Sequence, residues 1–83
     1  MSTTYRAFLD ARAALGRAET EMETALALHF RTGLSGPLTR DLVRHAVAHL
    51  RLARRAAFAA SQAWHGAVWL QGAERRDEAR RAA

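Results

Sequence analysis

The 83-residue sequence has no cysteine and a single proline. Without cysteine there are no disulfides and no thiolate metal sites. With Pro37 as the only proline, long tracts carry no residue that must interrupt a helix. Lysine is missing too, so all 13 basic residues are arginine. Arg-only, Ala-heavy usage also follows from GC-rich codons, so the formal charge of +5 says less than the placement of the charges. No carboxylate occurs between Leu42 and Ala73.

No apolar run is long enough to cross a bilayer; the most apolar stretch, AAFAASQAWHGAVWL, is too short and too polar. The start, MSTTYRAFLDARAALG, has Asp10 and Arg12 where a secretion signal needs an apolar segment. A cytoplasmic protein is therefore expected, and the lack of cysteine agrees with a reducing compartment.

The length sets one small domain, residues 1–83. A core of this size leaves little net stability once chain entropy is subtracted. With disulfides excluded, the remaining staples are a His/carboxylate metal site or association with another chain.

The one strong break is RTGLSGPLT, residues 31–39. Gly33 suits the left-handed position that ends a helix. Ser35 or Thr39 suits the cap of the next helix, and Pro37 its first turn. The flanking segments are rich in Ala, Leu, Arg and Glu, and no β-branched alternation competes with a helix. The expected fold is all-α: an antiparallel hairpin with a first helix at about 3–31, a turn at 32–37 and a second helix at about 38–80. The second helix either continues throughout or breaks near Gly66 or Gly72.

Heptads support this. Phe8, Leu15, Met22 and His29 recur every seventh residue, with Ala11, Ala18 and Ala25 beside them. In the second segment Ala46, Ala53, Ala60 and Ala67 recur, flanked by Val43, Leu50, Ala57 and Trp64. One large and one small residue per heptad allows close approach and a shallow left-handed crossing. Folding about residues 34 and 35 pairs positions whose numbers add to about 69, setting Trp64 opposite Tyr5. The other tryptophan, Trp69, is five residues on and points about 140° away. Residues beyond about 68 have no first-helix partner, so Val68, Trp69 and Leu70 overhang.

Arg40, Arg44, Arg51 and Arg55 share an outer stripe of the second helix, which continues as Phe58, Gln62, His65 and Trp69. A solvated face does not need those aromatics, and Arg and Trp are enriched at interface hot spots. The expectation is a non-catalytic interaction or assembly subunit. It binds a protein partner or its own copy through Arg51, Arg55, Phe58, Gln62, His65 and Trp69, with a helical bundle completed by self-association. The alternative is a nucleic-acid-binding subunit that sets Arg40, Arg44, Arg51 and Arg55 on phosphates. A third reading lays the stripe on a membrane surface with Trp69 among headgroups.

Catalytic and cofactor signals are weak. His45 and His49 are four apart and share a helix face, the spacing that chelates a divalent metal, with Glu19 and Glu23 nearby after pairing. No Glu-x-x-His motif accompanies them, and pairing with helix-1 acids is the simpler role. Glu19, Glu21 and Glu23 alternate and cannot all share one face. Ser61 and His65 have helical spacing but no acid to orient the imidazole. No enzyme activity, cofactor or small-molecule substrate is expected. Trp64-His65-Gly66 has the letters of the W-x-G motif of small secreted helical hairpins. There the motif forms the turn; here the turn lies some thirty residues earlier, and the chain is not assigned to that family.

Overall fold

A computed structural model of the chain describes residues 3–31 and 36–83. It is an antiparallel helical hairpin of α1, Thr3–Phe30, and α2, Pro37–Ala82. The expected ends agree within two residues. Gly33 and Ser35, expected to end and cap the helices, lie outside the described residues.

Among the described residues, the cap of α2 is Gly36, in extended conformation, with Pro37 in the first turn. Thr39 completes the cap from inside the helix. Its hydroxyl accepts from the Gly36 N–H at 3.0 Å and donates to the Gly36 carbonyl at 3.0 Å. His29 Nδ1 lies 3.0 Å from the same hydroxyl oxygen, tying the end of α1 to the start of α2.

The helix does not break at Gly66 or Gly72; both lie inside the 46-residue α2. A helical glycine costs about 1 kcal/mol relative to alanine, too little to stop a segment of strong helix formers. Trp64-His65-Gly66 is thus mid-helix, away from any turn.

The seam is built from small residues. Ala18, Ala25 and Ala46 are buried together with Leu50. Phe8, Leu15, Met22, Val43, Ala57 and Trp64 are half-buried around them. The register follows the expected pairing: the Tyr5 and Trp64 rings are 4.6 Å apart. Thr20 and Thr24 return their hydroxyls to the carbonyls of Gly16 and Thr20 at 3.1 and 2.9 Å, leaving the seam to apolar groups.

The molecule is a rod of 73 × 17 × 16 Å with a radius of gyration of 20.1 Å. A compact domain of this length has about 12 Å. At about 1.5 Å per residue, α2 outreaches α1 by about 27 Å. The accessible surface is 6664 Å², against about 4,900 Å² for a compact protein of the same mass. No described helix is long and apolar enough to cross a membrane.

Candidate docking surface and a histidine cluster

The two flanks of the hairpin differ. On one, α2 presents its arginine stripe. Arg40, Arg44, Arg51 and Arg55 are all exposed, as are Gln62 and His65. Phe58 is 68% exposed and Trp69 66%. The stripe expected from helical spacing therefore faces outward. Among the described residues, none of its arginines is ion-paired within the chain.

Phe58 sits beside a shallow groove where the helices meet, lined by Phe8, Arg12, Leu15, Arg54 and Ala57. The Arg12 guanidinium lies over the Phe8 ring, 5.6 Å from its centroid. Arg54 is absent from the expected contacts because its wheel position is nearer the seam, yet it lines the same groove as Phe58. His65 is the inner member of the expected set. Its ring is 6.1 Å from Phe8, and its Nδ1 lies 3.2 Å from Ser61 Oγ. Among the described residues, no carboxylate pairs with His65, so the Ser61–His65 contact lacks the acid of a catalytic triad.

Glu19 and Glu23 of α1 fall on this flank by periodicity: Glu19 is seven residues after Arg12 and four after Leu15, and Glu23 is four further on. Both are exposed, and neither is ion-paired among the described residues. The flank therefore carries cationic, aromatic and anionic patches whose charges are not neutralised among those residues.

Beyond the end of α1 the overhang keeps its apolar groups. Val68, Trp69 and Leu70 are exposed, and Trp69 and Leu70 border a depression with Ala73 and Arg76. Asp77 and Arg81, one helical turn apart, form an ion pair at 3.1 Å.

The opposite flank is less legible in the sequence. Leu38, Leu42, His45, His49 and Leu52 alternate four and three apart along α2 and are all exposed. That spacing is readable, but the histidines interrupt it and the Ala seam beside it is stronger. Here the helices bring one acid and two histidines together. Glu21, not Glu19 or Glu23, is the α1 member. Its Oε2 is 2.8 Å from His49 Nδ1 and its Oε1 3.8 Å from His45 Nε2. The two imidazoles are 5.7 Å apart.

Comparison with family models, curated proteins and solved structures finds no match to this chain. Its own surface is therefore what bears on function.

Proposed function

We propose that the chain is a non-catalytic assembly subunit that pairs with a second copy of itself through the outer flank of α2. The observation that carries this reading is the exposure of Phe58 and Trp69 on one stripe with arginines that have no ion pair among the described residues. The hairpin exposes about 1,700 Å² more than a compact fold of its mass. A standard interface takes about 800 Å² from each partner, so one pairing fits within that excess.

Charge favours a second copy as the occupant. A two-fold interface presents the same patch from both sides. Arg51 and Arg55 of one copy then face a surface that carries Glu19 and Glu23. Such pairs add little affinity, but they fix orientation. Phe58 and Trp69 supply the apolar centre. Completing a four-helix bundle in this way gives the chain the staple that its small core and lack of cysteine call for.

The same arginines favour a second reading, with nucleic acid as the partner. Salt separates the two. Four arginine–phosphate contacts lower affinity about a hundredfold between roughly 50 and 200 mM salt through counterion release. Gel filtration with in-line light scattering, with and without nucleic acid at both salt concentrations, decides between them. Self-pairing gives a multiple of 9.2 kDa that survives the higher salt. A 9.2 kDa species that gains mass only with nucleic acid at low salt overturns it.

A further inference from the structure

We propose that Glu21, His45 and His49 form a surface site for a divalent late transition ion of the zinc class. The site is independent of the pairing surface, since it lies on the opposite flank.

The sequence sets up half of it. Four residues apart on α2, His45 and His49 project from one face. The hairpin register brings Glu21 of α1 across from both. The three ligand atoms lie within 4.8 Å of one another. Zinc holds nitrogen and carboxylate oxygen at about 2.0–2.2 Å, so tetrahedral ligands stand about 3.3–3.6 Å apart. The two Glu21 oxygens reach one histidine each, Oε2 at 2.8 Å from His49 Nδ1 and Oε1 at 3.8 Å from His45 Nε2, so the carboxylate stands between both imidazoles. Seating an ion requires the three ligand atoms to close from within 4.8 Å of one another to the tetrahedral spacing.

The donor set selects the metal. Two imidazoles and one carboxylate suit zinc, cobalt, nickel or copper, whereas calcium and magnesium take mainly oxygen ligands. Three protein ligands leave a coordination position for water, the arrangement of open zinc sites. Access is direct, because the side chains of His45, His49 and Glu21 are 73%, 57% and 38% exposed. An ion there joins α1 to α2 at mid-hairpin. It thus supplies the other staple open to a cysteine-free chain and couples metal binding to folding.

Without metal, the same geometry is an ordinary His49–Glu21 hydrogen bond, so the test must be metal-dependent. Zinc is titrated into the full chain without a histidine tag, by calorimetry and by equilibrium dialysis, with magnesium as the comparison. One zinc per chain is expected. At a hundred times the dissociation constant, zinc raises the melting midpoint by roughly 10–20 °C, and magnesium does not.

His45→Ala with His49→Ala abolishes both effects. Losing a partner that merely supports a ligand already weakens metal sites tenfold or more, so Glu21→Gln weakens binding by about tenfold at least. Asp77→Asn, near the far end of α2, leaves binding unchanged. Helicity by circular dichroism confirms that the variants fold. On the unaltered chain, cobalt produces the strong visible absorption of a four- or five-coordinate site. The absence of stoichiometric zinc binding overturns the proposal. So does zinc binding that persists in the double-histidine variant or is lost in Asp77→Asn.

Discussion

The rings of Tyr5 and Trp64 lie 4.6 Å apart and tilted by 49°, at the end of the hairpin farthest from the turn. With His29 and Thr39 at the turn, they close a seam whose interior is mostly alanine. Large side chains therefore hold the two ends of α1, and small ones let the middle approach.

Removing the far clasp should loosen the open end first. Trp64 is half-buried, so Trp64→Ala forfeits part of the about 3–5 kcal/mol of a fully buried tryptophan, roughly 2 kcal/mol. Tyr5→Ala should add less in the Trp64→Ala background than alone, because aromatic pairs carry about 0.5–1.5 kcal/mol of coupling. A double-mutant cycle by urea unfolding measures this. Strict additivity means that the rings do not stabilise one another.

The cap of α2 gives a second prediction. Thr39→Ala removes the side chain that bonds Gly36 and meets His29. The expected loss is about 1 kcal/mol. Thr39→Ser, which keeps the hydroxyl, should retain most of the stability in the same melt.

Much of this architecture is legible in the amino-acid sequence. The heptads of Ala18, Ala25 and Ala46 mark the seam, and the position of the turn sets the register that joins Tyr5 to Trp64. Continuity through Gly66 and Gly72 is not legible there. Glycine weakens a helix by an amount that its neighbours outweigh, and a sequence shows the penalty more plainly than the compensation. Pairing by residue number gives an acid's height along the hairpin but not its side of the seam. Glu21 faces the histidines because alternate residues on α1 point about 200° apart, which sends Glu19 and Glu23 to the other flank.

Gly66 offers a direct check on the unbroken helix. A Cβ added there meets nothing within 4 Å. Gly66→Ala should therefore stabilise the chain by about 0.5–1 kcal/mol and raise its helicity. A destabilised variant means that the position is a bend or lies tight against another chain.

Phe58 and Trp69 are predicted to act in association and not in folding. Phe58→Ala and Trp69→Ala should each weaken pairing by about thirtyfold or more, the scale of an interface hot spot. Helical content should hold, because neither ring is buried within the hairpin. Loss of circular dichroism signal in the variant, at a dilution where the unaltered chain is itself unpaired and still helical, would place the rings inside the fold.

The most direct test watches Trp69 itself. A Trp64→Phe variant leaves Trp69 as the sole tryptophan, and acrylamide quenching is followed with light scattering across a dilution series. Pairing through this face predicts that Trp69 becomes shielded as the mass rises above 9.2 kDa, and exposed again on dilution. A mass of 9.2 kDa at every concentration, with quenching that never changes, contradicts it.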